Sequence, residues 1–128
     1  MEKRTARRED YLKWIYVLSQ QGMVHGSDLA DAFGVKRPTV SVFLKWLMEN
    51  GDITMDKHRC IFLTEQGRLT AEHTVNKHSV LLALLRELGI PEQVANEDAC
   101  AMEHNISPET FAAFWQLLQE RQKGSTEK

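Results

Sequence analysis

Between Asp52 and Leu63 the spacing of apolar residues changes from about 3.6 to 2, directly after two short helical patterns joined by a tight turn. Few folds accept that order. Ser27 is a suitable N-cap with Asp28 in the first turn, and Leu29, Ala30 and Phe33 form an apolar stripe that stops at Gly34. After the turn residues Gly34-Val35-Lys36-Arg37, Pro38 sits where a helix favours it, at the first position, and Val40, Phe43, Leu44, Leu47 and Met48 carry an inward face to Gly51. Ile53 and Met55 then alternate, Asp56-Lys57-His58-Arg59 forms a charged tip, and Cys60-Ile61-Phe62-Leu63 returns as a strand. Two helices with a glycine turn and a hairpin behind them predict a winged helix-turn-helix over Ser27 to Leu63.

On either side the pattern is helical. Tyr11, Leu12, Ile15, Tyr16 and Leu18 predict an amphipathic helix from Asp10 to Ser19, ending near Gln21-Gly22. Thr64 caps a long helix through Leu69, Val75, Val80, Leu81, Leu84, Leu85 and Leu88, with room for a bend, until Gly89 stops it. Pro91 opens a helix to about Asn105. Ser107-Pro108-Glu109 starts the last, with Phe111, Phe114, Trp115 and Leu118 inward. The expected architecture is mainly α with a small β-hairpin: a winged helix-turn-helix domain over residues 1–70, a helical dimerisation domain over 71–122 and a disordered tail over 123–128.

A chain of 128 residues has room for one such domain and a modest helical partner, which is expected to gain stability by dimerising. No apolar run approaches the length that spans a membrane, and the charged segment Met1 to Asp10 has no apolar stretch behind it, so a cytoplasmic protein is expected. Cys60 and Cys100 stand far apart in a chain without an export signal, which predicts reduced thiols. The net charge of −2 hides a division: residues 1–59 carry +2 and residues 60–128 carry −4. Basic groups therefore gather in the half that carries the helix-turn-helix.

The second helix of such a unit presents its N-terminal residues to the major groove. Subtracting the inward positions leaves Lys36, Arg37, Thr39, Ser41, Val42 and Lys45 outward, with Pro38 at the helix start. Lys36, Arg37 and the helix N-terminus suit phosphates, Thr39 and Ser41 suit phosphate or base edges, and Val42 suits a thymine methyl. Lys57, His58 and Arg59 at the wing tip suit the neighbouring backbone or minor groove. The same residues also fit a solvated face on a winged helix used for protein contacts; basic groups at both contact regions favour DNA.

In Asp98-Ala-Cys-Ala-Met-Glu-His104, Cys100, Glu103 and His104 fall at i, i+3 and i+4, on one face of a helix. A thiolate, a carboxylate and an imidazole there make a site for a divalent transition metal. A small buried cysteine beside a solvated Glu-His pair fits the spacing equally well.

Several separated motifs resemble the diphtheria toxin repressor family over about residues 9 to 120: Glu9-Asp10-Tyr11-Leu12 with Ile15-Tyr16, Pro38-Thr39-Val40-Ser41, Leu63-Thr64 with Gly67, His78, and Glu97-Asp98-Ala99-Cys100 with Glu103-His104 and Ser107. The resemblance implies a homodimeric repressor that binds operator DNA when loaded with ferrous or manganous ion and so controls metal homeostasis. It implies Cys100, Glu103 and His104 as principal ligands, Asp10 as the ligand from the first helix that ties the DNA-binding half to the dimerisation half, and His78 at a neighbouring second metal position. In length the chain resembles the manganese-type branch, stopping where iron-type members continue into an SH3-like domain.

The departures from that pattern carry information. Manganese-type members have Glu where Cys100 stands and a carboxylate where Lys13 stands, while iron-type members have Met where Asp10 stands and His and Glu where Asn96 and Leu82 stand. One firm site and a weak or absent second are expected, with Fe2+ first and Mn2+ second as the physiological ion. Metal is expected to shift apo dimers toward the orientation of recognition helices that fits the operator. The rival reading is a metal-independent winged-helix regulator answering to a protein or small molecule. No enzyme is expected, because a Cys100–His104 pair one turn apart lacks an evident oxyanion hole.

Overall fold

The computed structural model describes residues 2–126, with side chains from 4 to 123. The chain divides after Thr74 into two compact units. The first holds α1 (Glu2–Ser19), α2 (Gly26–Phe33), α3 (Arg37–Glu49), β1 (Ile53–Met55) and β2 (Ile61–Leu63); α4 (Glu65–Glu87) begins in it and ends in the second, which adds α5 (Glu92–Met102) and α6 (Pro108–Thr126).

The period-2 stretch is an antiparallel hairpin with Ile53 opposite Leu63, Thr54 opposite Phe62 and Met55 opposite Ile61. Cys60, expected in the return strand, precedes it. The tip is tight because the Asp56 carboxylate accepts the backbone N–H groups of His58 and Cys60, both at 2.9 Å, while Arg59 takes a left-handed φ of 64°.

One core serves the first unit: Leu12, Ile15, Val24, Leu29, Val40, Leu44, Leu47, Ile53 and Ile61 are all buried in it. Tyr11 fixes the three helices together, its ring centroid 4.7 Å from that of Phe33 and 4.6 Å from that of Phe43. Burying each large aliphatic side chain contributes on the order of 1.5–3 kcal/mol, so α3 is anchored along one whole face while the other stays free. Met48, expected inward, is exposed one position past that face.

Several boundaries move. α1 starts at Glu2, eight residues before the expected Asp10. The added residues are mostly Arg, Lys, Glu and Ala, good helix formers with no apolar period to reveal them. They are held sideways: Arg4 lies 5.3 Å from the Trp46 ring centre and Arg7 5.7 Å from that of Phe43. α2 is capped by His25 in place of Ser27, with the Asp28 carboxylate accepting the His25 N–H at 2.8 Å. α3 begins at Arg37, putting Pro38 second.

A buried carboxylate joins four segments of the first unit. Asp52 is fully buried and accepts Nε–H and Nη2–H of Arg8 and the side-chain amides of Asn50 and Gln66, each at 2.8 Å. Burial alone would raise the Asp52 carboxyl, but these bonds and the Arg8 charge outweigh it and hold it below the usual carboxylate range. Its backbone oxygen meets α4, where Thr64 caps the helix as expected, the hydroxyl accepting the Gly67 N–H at 3.1 Å. A Cβ on Gly67 would stand 2.1 Å from the Asp52 oxygen, so any side chain here forces that backbone oxygen to move.

In the second unit Val80, Leu84 and Leu118 are buried together with Phe111 and Phe114 against them. Trp115, expected inward, is 50% exposed, and Leu88 is 72% exposed. α4 runs unbroken to Glu87, α5 stops at Met102, three residues short of the expected Asn105, and the Ser107 hydroxyl caps α6 by accepting the Thr110 N–H at 3.1 Å. α6 continues to Thr126, so the expected disordered tail from Lys123 is helical as far as Thr126; its last two positions, 127 and 128, lie outside the described residues.

Candidate metal centre and nucleic-acid interface

Every residue assigned from sequence to the nucleic-acid face is exposed: Lys36 at the N-cap of α3, Arg37, Pro38, Thr39, Ser41, Val42 and Lys45 on α3, and Lys57, His58 and Arg59 on the hairpin tip. Val42, 73% exposed, has no structural reason to be apolar within the first unit. A groove lined by Arg37, Ser41, His58 and Arg59 brings α3 and the hairpin tip to one surface. On the other side of α3 a second groove is lined by Arg4, Arg7, Val42 and Trp46. Those two arginines escape a reading by apolar periodicity, since they lie ahead of the first patterned residue; their signal is the density of basic groups among residues 3–8.

The acid-rich half gathers four side chains of metal-binding type: the Glu103 carboxylate, the His78 and His104 imidazoles and the Cys100 thiol. Glu103, the C-cap of α5, is completely buried. One of its oxygens lies 3.0 Å from His78 Nδ1 and the other 3.5 Å from His104 Nε2. Cys100 Sγ lies 3.7 Å from the same His78 nitrogen. Cys100 is exposed, which removes the reading of it as a small buried apolar residue. Because α5 ends at Met102, Glu103 and His104 leave the helix in a turn, yet the helical backbone angles of Glu103 keep the side chains together.

The hydrogen bonds test whether this set fits a cation. Asn96 Oδ1 stands 3.0 Å from His78 Nε2, so the ring is held between Asn96 on one side and Glu103 on the other. His78 Nδ1 faces the Glu103 carboxylate at 3.0 Å. The side chains present are of types that bind a divalent transition metal: two imidazoles on opposite oxygens of one buried carboxylate, with a thiol beside one of the imidazoles. Asn96, noted from sequence as a departure, thus orients His78 from its far side. Asp10 lies on α1 in the first unit, half-buried; Lys13, one turn later, is half-buried as well.

Comparison with known proteins agrees along most of the chain. Residues 3–61 match the domain described as iron dependent repressor, N-terminal DNA binding domain, and residues 64–125 match iron dependent repressor, metal binding and dimerisation domain. The chain is 34% identical over 113 residues to the transcriptional regulator MntR of Salmonella typhimurium strain LT2, covering 88% of this chain and 72% of that one. It is 36% identical over 107 residues to MntR of Escherichia coli O6:H1, covering 83% and 69%. Among solved structures, a manganese-dependent transcriptional repressor in complex with manganese is 30% identical with a TM-score of 0.79, covering 88% of this chain and 52% of that chain. The manganese regulator SloR is 27% identical with a TM-score of 0.78. The chain spans about half the length of these solved chains. The chain therefore belongs to the iron-dependent repressor family, metal-dependent transcriptional regulators of the diphtheria toxin repressor and MntR type.

Proposed function

We propose that this chain binds operator DNA as a homodimer when loaded with ferrous or manganous ion, and so represses genes of metal homeostasis. The observation that carries the metal half is the buried Glu103 with His78, His104 and Cys100 about it. Cys100, Glu103, His104 and His78 would hold the ion, and a bound divalent ion would supply positive charge beside the buried Glu103 carboxylate. Asp10 is assigned to the same ion by its sequence resemblance. Ferrous ion is the first choice because a thiolate is a softer donor than the carboxylate of manganese-type members; manganous ion is second, and the two solved relatives named above are described as manganese regulators.

The DNA half rests on the exposed α3 face and the hairpin tip. Lys36, Arg37, Lys57, His58 and Arg59 serve phosphates, Thr39 and Ser41 phosphates or base edges, and Val42 a thymine methyl, with Pro38 and Lys45 flanking. Arg4 and Arg7 extend the phosphate-binding surface along α1.

Linkage between the two halves is reciprocal: whatever operator affinity the loaded protein gains, metal affinity gains equally on operator. Elemental analysis and thermal unfolding test the metal half. An ion at about one hundred times its Kd stabilises by about 2.7 kcal/mol, a gain that Cys100→Ala and Glu103→Gln should shrink. Purified protein with no bound metal and no stabilisation by Fe2+ or Mn2+ would favour the metal-independent regulator.

A further inference from the structure

The metal centre accounts for Cys100 and leaves Cys60 without a role. Cys60 is buried at the base of the hairpin, beside two other soft or borderline donors. Its Sγ lies 3.3 Å from His25 Nε2 and 3.6 Å from Met23 Sδ. All three belong to the first unit, and the Ile61 N–H donates to the Val24 oxygen at 2.8 Å, so the backbone holds the Met23–His25 segment against the residues that follow the tip. We infer that Met23, His25 and Cys60 form a second metal site, specific for a soft monovalent cation of the Cu+ class.

The chemistry of the donors makes the choice. A thioether, a thiolate and one imidazole select monovalent copper over manganous or ferrous ion, which prefer oxygen and nitrogen. His25 is placed to ligate: its backbone N–H is fixed by the Asp28 carboxylate at 2.8 Å, and its Nε2 is the ring nitrogen turned to the Cys60 sulfur. With bonds of about 2.3 Å to sulfur and 2.0 Å to nitrogen, a trigonal ion sets its donors about 3.7 and 4.0 Å apart. The cluster therefore opens by about 0.4 Å on loading, within reach of Met23, whose side chain is exposed. Burial, with the Asp56 charge second, keeps the thiol protonated, so the ion replaces one proton, which leaves to solvent. His25 caps α2 and Cys60 follows the Arg59 tip, so loading ties the wing base to the helix-turn-helix.

The test uses the full chain carrying Cys100→Ala, so that Cys60 is its one thiol, titrated anaerobically with Cu+ against a chromophoric Cu+ chelator. One equivalent is expected, with two sulfur scatterers and one nitrogen in X-ray absorption, and an excess of Zn2+ does not displace it. Cys60→Ala abolishes binding and Met23→Leu, at an exposed position, weakens it by about tenfold or more. Should Cys60→Ala fail to fold, Met23→Leu and His25→Gln carry the test. No binding, one sulfur scatterer only, binding unchanged in Met23→Leu, or displacement by Zn2+ would each overturn the site.

Discussion

Asp52 carries more of the first unit than its place ahead of a three-residue strand suggests. Its pairing with Arg8 is buried on one side and only partly exposed on the other, so Arg8→Ala leaves a carboxylate in the core with two amide donors. The expected loss is about 3 kcal/mol in urea unfolding at neutral pH. The same group sets an acid limit: its pKa is lower folded than unfolded, so its stabilisation is complete above the ordinary carboxylate range and lost as pH falls through and below that range. Wild-type stability measured against pH should fall there, and Arg8→Ala should flatten the fall. Gly67→Ala is expected to destabilise by about 1–3 kcal/mol, because backbone oxygen on Asp52 must move before a methyl fits. None of this was legible in the sequence, where Asp52 only marks the change of period; a buried ion pair 44 residues apart leaves no local trace.

The wing and α3 were legible because each has a strong local rule behind it, an alternation with a charged tip in one case and a glycine stop with proline in the first turn in the other. The eight residues added to α1 were not, since basic residues without apolar spacing look like a solvated tail until Phe43 and Trp46 are seen beneath Arg4 and Arg7. Trp115 was misread for the opposite reason: helical spacing marks a residue as apolar-facing without saying which molecule covers it. On α3 and the wing, Arg37→Ala with Lys57→Ala should weaken DNA binding and lower the slope of log affinity against log salt by about 2, one phosphate contact each. Fluorescence anisotropy across a salt series reads this directly; an unchanged slope would remove both residues from the interface.

For the whole molecule, the exposed Leu88, Trp115 and Leu117 leave the second unit with an apolar surface in a part of the chain that matches a dimerisation domain. Trp115→Glu with Leu88→Glu should shift sedimentation from dimer to monomer, and operator affinity should fall with it because two half-sites are no longer held together. The candidate metal centre was legible as a motif, Cys100, Glu103 and His104, while the convergence of His78 on Glu103 and the part played by Asn96 required the fold. In the proposed function metal binding and DNA binding are one equilibrium. Fluorescence anisotropy under anaerobic conditions tests it, on a duplex selected from random sequence by metal-loaded protein, with chelator, Fe2+ or Mn2+, for wild type and Cys100→Ala. Metal should tighten wild-type binding at least about fivefold, the lower end of ordinary allosteric coupling, and leave Cys100→Ala near the chelator value. Equal wild-type affinity with chelator and with either ion would contradict the account.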